Sequence, residues 1–302
     1  MECLKKNHYV EDKTLFNNQP NFQFKENIVS DFNYSYWICD TFDIYYPSND
    51  KIEPYLAYSS FYKMGIKIVK ITNKKSIKTL SEPSNYIEKI KISYDEKSEN
   101  NYLLASDWDF MVYIWNLDDN YKFLFKITTG YTNYIYSLFI YFKLEYIITS
   151  TVGHVINVDY IKIFSLKDGK LINNIKNSEL NDTLDCLIWE KEEKDIYIVA
   201  CCYQKIEIYN ILTGELYGNL ATEINDSCGD YYFSGFIAND NKHLFTSSYE
   251  GFINIWDLYE KKLIKTIKFS SSFFKIILGQ YILTIQKIKK MINYMKILII
   301  IF

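Results

Sequence analysis

Arginine is absent from this chain of 302 residues, so each of its 34 positively charged side chains is a lysine. Arginine binds carboxylates and phosphates through two parallel hydrogen bonds, which lysine cannot do. Arginine fingers and guanine-reading arginines are therefore excluded. The lysines are balanced by 37 acidic residues, so no strong net charge attracts the chain to nucleic acid or anionic lipid. We expect neither nucleic acid nor membrane as a partner.

Residues that usually carry catalysis or hold cofactors are also scarce. None of the three histidines, His8, His154 and His243, has a metal-ligand or triad spacing to nearby cysteines or acidic residues. Only ten glycines occur, and none of the glycine-rich motifs that bind phosphates or dinucleotides is present. The sequence therefore predicts no metal, no cofactor and no enzymatic activity.

The six cysteines lack the two-residue spacing that is typical of zinc ligands. Met1 to Gln19 is mostly polar, so no signal peptide is expected. We expect reduced thiols in the cytoplasm. Cys201 and Cys202 end an apolar strand and are predicted to be buried.

A repeated unit of four short strands organises the rest of the chain. The anchor of each copy is the residue at the end of its third strand, which gives Val69, Trp115, Phe164, Tyr209 and Trp256. Successive anchors are 46, 49, 45 and 47 residues apart, close to the roughly 40 to 45 residues of a four-stranded propeller blade. This period predicts an all-β fold, a β-propeller of four-stranded antiparallel blades.

The repeat predicts five clear blades and a degenerate sixth. The copies run over about Ser35 to Leu80, Asn85 to Ile127, Asn133 to Ile175, Asp182 to Leu220 and Tyr231 to Ile267, and the sixth starts near Ser272. Their inner strands are apolar on both faces, as expected for a sheet packed between two others. The outer strands carry lysines and are expected to face water. We expect about six blades. Seven are possible in a longer parent chain.

Trp256 and Asp257 end the third strand of the fifth copy, and Trp115 and Asn116 stand at the same place in the second. With Asp109, in the turn between the second and third strands, these residues resemble the repeat of the WD-repeat β-propeller family. The resemblance is most specific in the second and fifth copies. It implies structural roles for four residues of the repeat, namely Trp115, Asp109, Trp256 and Asp257.

The resemblance covers residues 34–302, which we expect to form one propeller domain after an N-terminal extension over residues 1–33. No copy has the family's Gly-His pair before its first strand, so the family's hydrogen-bonded network cannot form in full. Hydrophobic stacking is expected to hold the blades together. A propeller must close its ring because open sheet edges are costly. We expect Met295 to Phe302 to be the third strand of blade six and Asn21 to Val29 to be its outer, closing strand.

Two other interpretations of the C-terminal segment stay open. Tyr281 to Phe302 is a candidate membrane anchor, but lysines interrupt it, and about 20 apolar residues are needed to span a bilayer. The chain could also be truncated relative to a longer ancestor, which would leave blade six incomplete.

In the family's geometry, the turns between second and third strands share one rim with the connections between blades. Exposed aromatic side chains are common anchors of protein interfaces. The residues expected to form an interaction surface on this rim are Trp108, Asp107, Phe110, Tyr249, Glu250, Phe61 and Tyr62. Trp108 is expected to contribute most, although aromatic residues make up 18% of the chain and some fall in loops without a role.

The resemblance implies a noncatalytic scaffold that binds protein or peptide partners, as a monomeric module within a complex. Two alternatives remain. A propeller enzyme would need histidine, aspartate or metal ligands that converge on the central channel. A lipid-binding propeller of the phosphoinositide type would lack its paired-arginine motif here.

Overall fold

The computed structural model of this protein describes residues 42–48, 53–59, 64–151, 159–176, 183–202, 205–220, 232–248 and 252–268. Its contacts divide the chain into Met1–Tyr34 and Ser35–Phe302, and every described residue belongs to the second unit. These residues form strands and turns, with no helix among them. In this part of the chain, therefore, no helix is long and apolar enough to cross a membrane.

The described strands form five sheets, each an antiparallel meander of four consecutive strands. Sheet 1 comprises β1 (Phe42–Tyr45), β2 (Tyr55–Tyr58), β3 (Ile66–Lys70) and β4 (Ser76–Leu80). Sheet 2 comprises β5 (Ile87–Asp95), β6 (Asn100–Asp107), β7 (Met111–Asn116) and β8 (Lys122–Thr128). Sheet 3 comprises β9 (Ile135–Tyr141), β10 (Tyr146–Thr151), β11 (Asp159–Ser165) and β12 (Leu171–Lys176). Sheet 4 comprises β13 (Thr183–Glu190), β14 (Ile196–Cys202), β15 (Ile206–Asn210) and β16 (Leu216–Leu220). Sheet 5 comprises β17 (Tyr232–Ile237), β18 (His243–Ser248), β19 (Phe252–Asp257) and β20 (Lys262–Lys268).

The five anchors occupy equivalent positions in these sheets, which confirms the predicted register of the repeat. Each anchor lies on the third strand and pairs with a leucine or isoleucine of the second strand: Leu56, Leu103, Ile147, Ile198 and Leu244. Each also follows a shift in the pairing with the fourth strand. This shift is a one-residue bulge. The extra fourth-strand residues are Ile77, Leu124, Ile172, Tyr217 and Ile264.

Consecutive sheets pack face to face through four buried hydrophobic clusters. The side of a sheet that bears its anchor, here called the anchor face, packs against the opposite side of the preceding sheet, here called the forward face. Trp115 shares a cluster with Ile68 of sheet 1, and Trp256 shares one with Ile208 of sheet 4. Hydrophobic packing between consecutive sheets, expected from the sequence, is thus confirmed.

The outer faces of sheets 1 and 5 are less buried than the faces between sheets. The residue before the anchor lies on the forward face and is 0% exposed in sheets 1 to 4: Ile68, Ile114, Ile163 and Ile208. The equivalent Ile255 of sheet 5 is only half-buried. On the anchor face, Val69 of sheet 1 is half-buried, whereas the other four anchors are buried.

Side chains on the first strands also fasten neighbouring sheets to one another. The acceptor and donor pairs are Asp43 Oδ2 with Ile92 N at 2.8 Å, Ser93 Oγ with Ile140 N at 3.2 Å, Ser137 Oγ with Cys186 N at 3.2 Å, and Asp185 Oδ2 with Gly235 N at 3.2 Å. A first strand is the edge of its sheet, where backbone groups need partners from outside it. The preceding sheet supplies acceptors to four such N–H groups.

Several predictions about the two ends of the chain lie outside the described residues. These are the sixth blade from Ser272, the closing strand Asn21 to Val29 and the candidate membrane anchor Tyr281 to Phe302. The described part of the chain contains five sheets, and none of them closes a ring. The expected number of six therefore stays a prediction.

The residue after the anchor closes the turn into the fourth strand. Asp257 Oδ1 accepts hydrogen bonds from the backbone N–H groups of Tyr259 and Glu260, both at 3.0 Å. Asn116 makes the same two bonds, both at 3.0 Å, and Asn210 makes them at 2.9 and 3.0 Å. Aspartate and asparagine favour such turns because their short side chains reach the backbone two residues on. This is the physical role of the second residue in the Trp-Asp pair.

Trp115 and Trp256 differ in how the indole N–H is satisfied. Trp256 Nε1 donates to Thr246 Oγ1 at 2.8 Å. The equivalent residue of sheet 2 is Ala105, since Ala105 and Thr246 each pair with the residue two before the anchor. Trp115 Nε1 is buried and has no hydrogen-bond partner among the described residues. An unsatisfied buried donor costs about 1–3 kcal/mol.

We expect Ala105→Ser to raise the free energy of unfolding by about 1 kcal/mol, because its hydroxyl would accept from Trp115. Thr246→Val should lower it by about 1–3 kcal/mol through loss of the acceptor for Trp256. Urea denaturation followed by tryptophan fluorescence measures both changes. Ala200→Ser is the matched control, because Ala200 occupies the same position in sheet 4, where the anchor is Tyr209. Equal stabilisation by Ala105→Ser and Ala200→Ser would contradict this account.

Candidate functional site

Turns and connections of sheets 1 and 2 meet at one end of the stack, here called the upper rim. Trp108 N, in the β6–β7 turn, donates to the carbonyl of Tyr86, in the β4–β5 connection, at 3.0 Å. Asn85 Nδ2 donates to Asp109 Oδ1 at 3.0 Å, and Met64 forms an isolated bridge with Tyr86. In a meander, the first-to-second and third-to-fourth strand turns lie at the other end, here called the lower rim.

Apolar side chains form a contiguous aromatic patch on the upper rim of sheets 1 to 3, comprising Met64, Tyr86, Trp108, Phe110 and Tyr134. The ring centroid of Trp108 lies 5.3 Å from that of Tyr86 and 6.2 Å from that of Tyr134, and Phe110 lies 5.9 Å from Tyr134. Met64 is 62% and Tyr134 is 38% exposed. The other three are half-buried, so the patch presents ring surface to solvent on a fixed base. Such surfaces serve as protein contacts.

Phe110 adopts a backbone conformation that bulky residues seldom adopt. Its φ is 59°, in the left-handed region that favours glycine. Phe110 N donates to the carbonyl of Asp107 at 2.9 Å, and Thr129 Oγ1 donates to the carbonyl of Phe110 at 2.6 Å. These bonds hold a conformation that costs about 1–3 kcal/mol.

Asp107 was expected on the interaction surface, but the structure places its carboxylate inside the turn. It is 1% exposed. Oδ1 accepts from the N–H groups of Asp109 and Met111, both at 3.1 Å, and Oδ2 accepts from the Tyr113 hydroxyl at 2.8 Å. Burial raises the pKa of Asp107 above its ordinary value, against the lowering effect of the bonds from Tyr113 and Met111. Asp107 shapes the turn, and we leave it out of the surface.

Asp109, to which the resemblance assigns the structural role in this turn, is exposed. Its carboxylate accepts from the Asn85 side chain, in the connection between sheets 1 and 2. The bonds that close the turn go instead to Asp107, two residues earlier. The resemblance therefore identified the correct turn, but the carboxylate that binds the backbone in it belongs to Asp107 and not to Asp109.

The remaining expected surface residues, Phe61, Tyr62, Tyr249 and Glu250, lie outside the described residues. The structure thus brings together Trp108 and Phe110 from the expected set. It adds Tyr86 and Tyr134, which lie in connections between sheets and which sequence reasoning missed. The available signal was that both tyrosines directly precede the first strand of a copy.

Sheets 3 and 4 enclose a polar cluster around Glu207 that the sequence did not predict. The hydroxyls of Tyr160 and Tyr209 donate to Glu207 Oε2 at 2.9 and 2.8 Å and contact each other. Lys205 Nζ lies 3.0 Å from Glu207 Oε1. Glu207 is 1% exposed, and burial raises the pKa of both tyrosines well above the ordinary value. The cluster contains an ion pair and two tyrosines but lies in the packed interior, so we assign it to stability.

Three cysteines in the described residues, Cys186, Cys201 and Cys202, are free and buried, which confirms the prediction for Cys201 and Cys202. Burial raises the pKa of all three thiols. The reactive form of cysteine is the thiolate, so these residues pack as small apolar side chains.

A groove of about 510 Å³ opens on the lower rim between sheets 3, 4 and 5, lined by residues that include Tyr141, Ile188, Glu190, Ile237 and Asn241. Glu190 accepts from the Tyr141 hydroxyl at 2.7 Å and from Lys143 Nζ at 2.8 Å. Burial raises the pKa of Glu190, but these two donors outweigh it and hold the pKa below its ordinary value. Within the described ranges, no group of three or more histidine, cysteine or acidic residues is placed to hold a metal ion.

Comparison of the chain with protein-family models gives no match, and comparison with curated proteins gives none either.

Proposed function

We propose that this chain is a noncatalytic β-propeller of the WD-repeat type that binds protein or peptide partners on its upper rim. Two features support the fold. Five equivalent sheets pack consecutively, anchor face on forward face. The Trp-Asp and Trp-Asn pairs of sheets 5 and 2 end equivalent third strands and close equivalent turns.

As part of this proposal, a sixth sheet closes the ring. Its third strand would come from Met295 to Phe302 and its outer strand from Asn21 to Val29. The half-buried Ile255 and Val69 support closure, because their equivalents in neighbouring sheets are covered. A sixth sheet would cover the forward face of sheet 5 and the anchor face of sheet 1 together.

The aromatic patch is the observation that carries the binding function. It gathers rings from the β4–β5 connection, the β6–β7 turn and the connection that precedes β9, so several sheets fix its shape. Tryptophan and tyrosine supply large contact areas at a small cost in side-chain entropy. A preformed aromatic surface on a rigid scaffold suits a protein or peptide partner.

The balanced charge and the lack of arginine favour such a partner over nucleic acid or a lipid headgroup. The buried free thiols are in keeping with a reducing compartment such as the cytoplasm. We propose that the protein acts there as a monomeric module within a larger complex.

Trp108→Ala is expected to weaken partner binding by about 2 kcal/mol, close to 30-fold, because it removes the ring at the centre of the patch. Affinity purification with tagged wild-type protein and mass spectrometry would identify the partner. Titration of the purified partner against both proteins by calorimetry gives the change in affinity.

Tyr94→Ala is the matched control, since Tyr94 is an aromatic residue, 45% exposed, at the end of β5 on the lower rim. It should leave the affinity unchanged. Equal binding by wild type and Trp108→Ala, with equal unfolding midpoints, would reject the upper rim as the binding surface.

A further inference from the structure

We infer that the aromatic patch selects peptide segments in which a lysine or arginine lies beside an apolar residue. This inference rests on the proposed function and names the chemistry of the partner. It depends on the charges around the patch and on the arrangement of its rings.

Among the described residues of the upper rim, the exposed charges around the patch are of one sign. Between sheets 1 and 3, the described upper rim consists of residues 64–65, 81–86, 107–110 and 129–134. The exposed charged residues in these segments are Glu82 and Asp109, both acidic. Lys162 lies beneath, where it is 7% exposed, donates to the Thr129 carbonyl at 2.9 Å and lies 4.6 Å from the Tyr131 ring centroid. At its surface, therefore, the rim offers carboxylates to a ligand.

Asp109 is held next to the rings. Its carboxylate accepts from Asn85 at 3.0 Å, and the chain neighbours of these two residues, Trp108 and Tyr86, have ring centroids 5.3 Å apart. A carboxylate accepts several hydrogen bonds, so the bond from Asn85 orients Asp109 and leaves capacity for a ligand donor.

The ring planes of the patch are steeply inclined to one another, so ring faces and ring edges lie side by side. The planes of Trp108 and Tyr134 meet at 60°, and that of Tyr86 stands at 87° to Trp108. Trp and Tyr faces attract cations within about 6 Å of the ring centroid, and ring edges pack against apolar groups. A basic side chain can thus contact a ring face and the Asp109 carboxylate at once, while its apolar neighbour packs on Met64 or Phe110.

The test is an array of nonapeptides with lysine, arginine, glutamine or glutamate fixed at the centre of a degenerate background, probed with the full chain. Peptides centred on lysine or arginine should bind about tenfold tighter than those centred on glutamate, and salt at 0.5 M should reduce this preference. Asp109→Asn should reduce the preference to about threefold or less while binding of glutamine-centred peptides persists. Glu96→Gln, at an exposed glutamate on the lower rim, is the matched control and should retain the full preference.

Two outcomes overturn the inference, and they differ in what they leave of the proposed function. If all four sets bind equally and Trp108→Ala removes that binding, the patch binds peptides but does not select cations. If no set binds, or if Trp108→Ala binds every set like wild type, the selectivity and peptide binding at this surface both fail.

Discussion

Replacing Glu207 by alanine is expected to lower the free energy of unfolding by about 3–5 kcal/mol. Glu207 is 1% exposed and accepts from two tyrosine hydroxyls and from the Lys205 ammonium. Its removal takes the shared acceptor from the two hydroxyls and removes the Glu207 charge that faces Lys205, in a packed interface between sheets 3 and 4. Buried groups that lose their partners keep the cost of desolvation.

Urea denaturation with tryptophan fluorescence measures this loss. Glu207→Gln should cost less, about 1–3 kcal/mol, because an amide oxygen still accepts from the tyrosines although the charge is gone. Glu96→Ala is the exposed control and should change stability by less than about 0.5 kcal/mol. A loss below 1 kcal/mol for Glu207→Ala would mean that the cluster is not closed in solution.

Ile255→Ala tests ring closure and is expected to cost about 2–4 kcal/mol. Its equivalent in sheet 4, Ile208, is 0% exposed and buried against sheet 5. If a sixth sheet covers the forward face of sheet 5, truncating Ile255 opens a cavity, as it does at Ile208. If water covers that face, the loss is only that of partly exposed methyl groups, about 1 kcal/mol or less.

Ile208→Ala sets the scale for a covered position. Ile264→Ala, at a residue that is 53% exposed on the outer strand of sheet 5, sets the scale for an uncovered one. Measurements at two protein concentrations separate a sheet of the same chain, whose effect is independent of concentration, from a second copy. A cost for Ile255→Ala that matches Ile264→Ala would reject the closed ring.

The sheet order and the anchor positions could be predicted from the sequence because the repeat and its turns fix the register. A one-residue slip would turn every anchor to the other face of its sheet, so apolar positions such as Trp115 and Trp256 allow one alignment. The turns after the anchors of sheets 3 and 4 contain residues suited to this geometry. Gly169 and Gly214, for example, have φ values of 67° and 73°, as expected for glycines between the third and fourth strands.

The polar contacts between sheets could not be predicted in the same way. Glu207 alternates with the apolar Ile206 and Ile208, a pattern that normally indicates one solvent-facing side. Its partner Tyr160 lies 47 residues earlier, on another sheet. The sequence did contain one sign of the buried cluster: Glu207 is a carboxylate in an inner strand, two residues before the tyrosine anchor Tyr209.

The aromatic patch was only partly predictable for a related reason. Spacing located the turn that carries Trp108, but the path of the connections between sheets decides which other rings meet it. Tyr134 reaches Trp108 and Phe110 from the connection before sheet 3. Similarly, turn geometry decides whether a carboxylate accepts hydrogen bonds from the backbone or faces solvent. For this reason the sequence alone could not show that Asp107, rather than Asp109, closes the turn.

In each of the five described sheets, a one-residue bulge lies at the same position between the third and fourth strands. This bulge also affects self-association. Each outer strand has one edge along which its backbone N–H and C=O groups have no partner in its own sheet. Such an edge is the usual template for fibril growth. An extra residue bends the strand and increases its local twist, so a flat strand of another molecule cannot pair along its full length. Removing the extra residue by deleting Ile264 would straighten β20 and should increase the tendency of the protein to form amyloid-like aggregates.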